Sequence, residues 1–193
     1  MSVLYICKVL FTFPKTNSHK MKKNIAKLTA LALAVLIISV TYSCKKKKQT
    51  SQSDIDLYEL AKQTDGYVWY KKTDKLLDKS SGSGHSQPLL RTRYNSIAAT
   101  KLDSVGKIIA GSTFPEGSII VKELYDNATT IGRYAILHKE SSNPNADEKG
   151  WVWGYINADE SVAETSTNKG SSCKSCHSQA GNIDYELMNK FFP

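Results

Sequence analysis

Cys173, Lys174, Ser175, Cys176 and His177 place two thiols and an imidazole within five residues, 16 residues before Pro193. Two thiols three apart can each add to a vinyl group of protohaem, and the neighbouring imidazole can then coordinate the iron. The pattern predicts one covalently bound haem c, with Cys173 and Cys176 as the thioether sites and His177 as the proximal iron ligand. A redox dithiol and half of a structural zinc site are the other chemistries that such a run allows. Structural zinc takes four ligands, usually in two spaced pairs, and the chain has no second Cys pair.

What a haem does depends on the sixth position of its iron. An electron carrier needs a firm sixth ligand, commonly Met. Downstream of residue 44 the only Met is Met188, 11 residues past His177, and a ligand so close would have to reach the opposite face of the ring. His85, in a loop, and His138, at a strand end, are the other candidates. Without them the iron is five-coordinate and open to a small molecule on its distal side, which points to gas binding or redox catalysis.

The segment that precedes this machinery reads as targeting sequence. Met21-Lys22-Lys23-Asn24 followed by the apolar run Leu28–Val40 has the charged and hydrophobic regions of a secretory signal. The run is 13 residues long, short for a membrane span, which needs about 20. Thr41-Tyr42-Ser43-Cys44 then resembles a bacterial lipoprotein processing site. Cys44 is the expected lipidation site, and the protein is expected to be exported and anchored to a bacterial membrane, facing the periplasm or the cell surface. Residues 1–20 precede a complete signal, so translation is expected to start at Met21. The organisation is an extension over 1–20, a signal peptide over 21–43, a lipidated Cys with a polar tether over 44–53, and a haem domain over 54–193. Of the four cysteines, Cys7 lies upstream of the signal, so none is left over for a structural disulfide.

A formal net charge of +8 invites a nucleic-acid reading that subdivision removes. All 18 Asp and Glu lie beyond residue 49, where they face 16 Lys and Arg, a net of −2. Nucleic acid is not an expected partner. The run Lys45–Lys48 reads as a solvated spacer beside the anchor, where anionic headgroups could attract it.

The haem domain must supply the walls around the motif. Asp54 can cap a short helix carrying Ile55, Leu57, Tyr58, Leu60 and Ala61. Strands are expected at Gly66–Tyr70, Leu89–Tyr94, Ser118–Tyr125, Ile131–His138 and Trp151–Ile156. Loops are expected at Ser80–Ser86 and Glu140–Gly150, and a turn at Phe114–Gly117. A helix is expected over Ser96–Ile109 and a closing one over Asp184–Phe192. Strands joined by loops rather than by regular crossover helices predict an α+β fold, a mostly antiparallel five-stranded sheet with flanking helices. About 140 residues suffice for one core.

So many strand-like segments do not suit the four-helix-bundle cytochromes c′, which also carry a C-terminal C-x-x-C-H. The haem motif occurs here with Phe114-Pro115-Glu116-Gly117-Ser118-Ile119-Ile120-Val121-Lys122-Glu123-Leu124, with Trp151-Val152-Trp153-Gly154-Tyr155, and with Asp184-Tyr185 through Phe191-Phe192-Pro193. In this combination, over roughly Leu89 to Pro193, the chain resembles the cytochrome P-460 family and its relatives, the beta-type cytochromes c′. The resemblance implies a homodimer with one c-type haem per chain that oxidises hydroxylamine or binds nitric oxide, and a cytochrome as redox partner. It also implies a bond between Lys122 and a meso carbon of the haem, with Arg91 as a distal hydrogen-bond donor to a bound nitrogen oxide. Alternation along the strand sets Lys122 on the face of Ile120 and Leu124; the other arrangement buries Ile119, Val121 and Tyr125 and leaves Lys122 in solvent. Arg93 shares the face of Arg91, and Trp151, Trp153 and Tyr155 share another, which reads as core. Non-catalytic nitric oxide capture, and electron transfer with His85 or His138 as sixth ligand, are the alternative functions.

Overall fold

A computed structural model of the chain describes residues 50–193. The signal peptide over 21–43, the start at Met21 and the lipid site at Cys44 lie outside the described residues. Among the described residues no helix is long and apolar enough to cross a membrane.

Seven strands make one antiparallel sheet: β1 (Val68–Trp69), β2 (Leu77–Asp78), β3 (Leu89–Tyr94), β4 (Ile119–Asn127), β5 (Thr130–Lys139), β6 (Trp151–Asn157) and β7 (Val162–Glu164). Their order is β1-β3-β4-β5-β6-β7, with β2 also paired to β3, so the fold is α+β with seven strands in place of the expected five. From β3 to β7 each strand pairs with its neighbour in sequence. β3 has the expected bounds, β5 extends past its own by one residue at each end and β6 by one at its C-terminal end, and β4 starts one residue later than expected and ends two later. β1 is cut short because Tyr70–Lys72 turns into a single 3₁₀ turn, with Lys71 and Lys72 at positive φ.

Four α-helical segments flank the sheet: α1 (Gln52–Lys62), α2 (Ser96–Ala99), α3 (Lys174–His177) and α4 (Met188–Phe191). Ser51, not Asp54, caps α1, its Oγ accepting from the Asp54 backbone N–H at 3.1 Å. Asp54 is instead a buried anchor: it accepts from Thr165 Oγ1 (2.6 Å) and from the Ser166 N–H (2.7 Å), tying the helix to the segment after β7. The expected helix Ser96–Ile109 stops after one turn. Asp103 Oδ1 accepts from the N–H groups of Val105 and Lys107, both at 2.9 Å, which favours a turn over helix. Gly106 follows at φ +81°, and a Cβ there would lie 2.7 Å from the Lys72 backbone nitrogen. Ile97, Val105 and Ile109, which helical spacing would set on one side with Ala98, Leu102 and Ile108, are exposed. The turn near Phe114 falls one residue later than expected. The Ser118 N–H donates to the Pro115 carbonyl (3.1 Å), and Gly117 occupies the third position, where a left-handed residue is required.

Both faces of the sheet are covered. One packs Leu57 and Ala61 of α1 against Val121, Ile136, Val152 and Ile156. The other gathers Tyr94, Phe114, Ile120, Leu124, Trp151 and Met188 into a second cluster beside the C-terminal segment. Each such aliphatic or aromatic side chain contributes about 1.5–3 kcal/mol on burial, so the sheet is a stiff platform for whatever stands on it.

Candidate functional site

The motif is delivered to the second face by a tight approach. Gly170 passes so close to Trp153 that a Cβ would lie 2.6 Å from the indole, and its carbonyl accepts from the N–H groups of Cys173 and Lys174, both at 2.9 Å, starting α3. Both thiols are free; Cys173 is half-buried and Cys176 exposed. Burial pushes the Cys173 thiol up from its ordinary value, so it is a neutral thiol near neutral pH.

His177 is oriented from eight residues downstream. Asp184 and Tyr185 both have positive φ, 48° and 73°, a conformation that non-glycine residues keep only where their surroundings enforce it. Here the Asp184 carboxylate accepts from the Phe114 N–H (3.0 Å) and from Lys139 Nζ (3.3 Å). The Tyr185 hydroxyl donates to Glu148 (3.0 Å). The reversal, which also shortens the expected closing helix to α4, turns the Tyr185 carbonyl onto His177 Nδ1 at 2.7 Å. A carbonyl only accepts, so Nδ1 carries the hydrogen and Nε2 keeps its lone pair, as a metal-ligating imidazole requires. Burial and then the Lys122 charge hold the His177 pKa below the ordinary value, against the Tyr185 carbonyl, which raises it. Trp153 packs edge-on against His177, centroids 5.3 Å apart.

Above this imidazole lies a cavity of about 360 Å³, within the roughly 300–1,000 Å³ usual for small-molecule and cofactor sites. Apolar side chains such as Ile120, Ala135, Leu137 and Trp153 form much of its wall, and Cys173, Cys176 and His177 lie along it. Two free thiols, an imidazole with its outer nitrogen already engaged and an apolar hollow are the donor set and the surroundings that a c-type haem requires. Among the described residues no group of three or more His, Cys, Asp or Glu gathers as a site for a bare metal ion.

Lys122 lines the cavity from the middle of β4, between Thr92 of β3 and Ala135 of β5, on the side of Ile120 and Leu124. It is 8 % exposed, and its ion-pair partner is Glu186, at 4.0 Å. Glu186 is buried and also accepts from the Tyr94 hydroxyl at 3.2 Å.

Arg91 is not brought to this cavity. It stands on the opposite face of the sheet, its Nε donating to Glu123 at 2.5 Å and its guanidinium 4.4 Å from the Trp69 ring centre. Arg93 shares that face and binds the same carboxylate. The arginine that lines the cavity is Arg133 of β5, stacked over Tyr155 at 4.4 Å with Nε donating to Asn157 at 2.6 Å. The signal for it was its place two residues before Ala135, which pairs with Lys122. Register shifts near the β4–β5 turn, at Leu124–Tyr125 and Tyr125–Asn127, put that pairing beyond simple counting.

The two candidate sixth ligands separate. His138 faces away from the cavity, 3.7 Å from Glu140. His85 lines the cavity beside His177, ring centroids 6.4 Å apart, with Nδ1 3.2 Å from the Tyr155 hydroxyl. Burial foremost, then the charges of Lys122, His177, Arg133 and Lys79, lower the His85 pKa to about 3, so its ring is neutral at ordinary pH. Met188 is core, its sulfur accepting from Thr92 Oγ1 at 3.3 Å.

Residues 69–186 match the family model described as Cytochrome P-460. A comparison with curated proteins gave no match.

Proposed function

The chain belongs to the cytochrome P-460 family of haem proteins, and from that premise we propose that it is an exported c-type cytochrome that oxidises hydroxylamine or a related small nitrogen species. The observation that carries this reading is the meeting of Lys122 with Cys173, Cys176 and His177 around one cavity. The two thiols would hold a single haem c by thioether bonds, and His177 would offer Nε2 to its iron, since the Tyr185 carbonyl engages Nδ1. The haem supplies the redox chemistry and the binding position for the small molecule.

The chain's own residues then divide the remaining work. Ile120, Ala135, Leu137 and Trp153 would give a haem plane an apolar surface to lie against. Arg133, in the place expected for Arg91, is the fixed cation that a nitrogen oxide or its developing charge would meet. Lys122 is the residue that modifies the ring. Joining its amine nitrogen to a meso carbon would remove one hydrogen from each, two protons and two electrons in all, so the bond would require a two-electron oxidant such as a peroxide. Lipid anchoring at Cys44, a homodimer and a cytochrome as electron acceptor complete the reading, supported by the N-terminal pattern and by the family.

Proteolysis of the denatured holoprotein followed by mass spectrometry tests it. Haem is expected on the Cys173–Cys176 peptide and, through a second bond, on the peptide containing Lys122. A Lys122 peptide that runs free would remove the cross-link and favour nitric oxide capture without catalysis. Hydroxylamine-dependent reduction of an added acceptor separates the same two readings by activity.

A further inference from the structure

The cavity holds a second imidazole for which the reading above has no task. We propose that His85 is a displaceable sixth ligand, taking the position opposite His177 in the resting protein and leaving it when a small ligand enters; the inference rests on the haem reading of His177. Three observations carry it. The His85 and His177 ring centroids are 6.4 Å apart, close to the roughly 6–6.5 Å between ring centres when two imidazoles flank one first-row metal ion at bond lengths near 2.0–2.1 Å. The Tyr155 hydroxyl engages His85 at Nδ1, 3.2 Å away, which leaves Nε2 as the free nitrogen. The large cavity and a small one of about 30 Å³ share Gly84, His85, Lys122, Cys176 and His177. A flat ring held by Cys176 and His177 would have both hollows open to it, and Lys122 lines each of them.

His85 is also placed to leave. It belongs to the segment between β2 and β3 rather than to the sheet, and beside it Gly84 has no atom within 4 Å of where a Cβ would sit. Its departure breaks the contact with Tyr155 and no ladder hydrogen bond. A distal position covered in this way admits a ligand only as fast as the loop releases it.

Optical and electron paramagnetic resonance spectra of the ferric holoprotein test the assignment. The wild type is expected to be six-coordinate and low-spin, and His85→Ala high-spin, with added imidazole restoring the low-spin spectrum. A measurement needing no variant is the rate of cyanide binding to the ferric wild type, expected to level off as cyanide rises because release of His85 limits it. A high-spin wild type, a low-spin spectrum that persists in His85→Ala, or a cyanide rate that rises without limit would each overturn the ligand assignment. If haem is on the Cys173–Cys176 peptide and the spectrum is high-spin, only the role of His85 fails. If that peptide carries no haem, the reading of the site fails with it.

Discussion

Lys122 and Glu123 are neighbours on β4, and the strand's alternation sends them to opposite faces of one sheet. Glu123, 2 % exposed, is enclosed by donors: Arg93, Arg91 Nε at 2.5 Å and the Tyr125 hydroxyl at 2.8 Å. Arg93 in turn donates to the Ala61 and Gln63 carbonyls at the end of α1, so the network also closes a helix terminus. On the other face Lys122 is held by one carboxylate at 4.0 Å and looks into a cavity. A buried charge that serves the fold is saturated with partners. A buried charge with one loose partner beside a hollow is available for chemistry.

Four substitutions can break or sharpen this contrast, from the largest expected effect to the smallest. Glu123→Ala leaves two guanidinium groups without their carboxylate and should cost about 3–5 kcal/mol in urea unfolding; a loss under about 1 kcal/mol would erase the distinction between the faces. Asp54→Asn should cost about 1–3 kcal/mol at neutral pH, since Asp54 is a closed anchor on α1. Burial raises the Asp54 pKa, but hydrogen bonds from Thr165, Ser166 and Ser51 outweigh it and hold the carboxyl below its unfolded value of 3.8. A depressed folded pKa contributes stability that is complete above the unfolded value and lost as pH falls through the folded one. The gap between wild type and variant should therefore be flat from neutral pH down to about pH 5 and close at lower pH, as urea titrations at several pH values would record.

Tyr94→Phe removes the hydroxyl that donates to Glu186 and should cost about 1–2 kcal/mol. Lys122→Met should change unfolding free energy by about 1 kcal/mol or less in either direction, because a loosely paired buried cation is replaced by an apolar chain of similar length. The same variant should lose every haem-linked peptide except that of the motif. A loss of several kcal/mol from Lys122→Met would place the lysine among the structural charges.

The strands were the most legible elements, because β3, β4, β5 and β6 each carry β-branched and aromatic residues over six or more positions. β7 has three residues, Val162-Ala163-Glu164, too few to show alternation. The helix expected over Ser96–Ile109 failed for a tertiary reason: its apolar residues have helical spacing, but Gly106 must admit the Lys71–Lys72 backbone, and the Lys71 N–H donates to the Gly106 carbonyl at 2.9 Å. Within the site, the motif was readable because its spacing is its chemistry, and the face of Lys122 because alternation is local. Arg133 was not, and His85 was named only alongside His138, since what reaches the cavity depends on a register or a loop path set by residues far along the chain. The Asp184–Tyr185 reversal had no sequence signal at all, as neither residue favours a positive φ strongly enough to announce it.

The pairing order of the sheet also has a consequence in time. From β3 to β7 every pairing joins consecutive strands, and contacts that close short stretches of chain form earliest. We expect the β4–β5–β6 meander to assemble while the last thirty or so residues are still searching. Pulse-labelled hydrogen exchange on the refolding apoprotein should find amides of Val121 and Ile136 protected before that of Tyr185; simultaneous protection would contradict this order. The platform would then stand ready before its reactive segment docks, with both thiols still accessible to whatever attaches the ring.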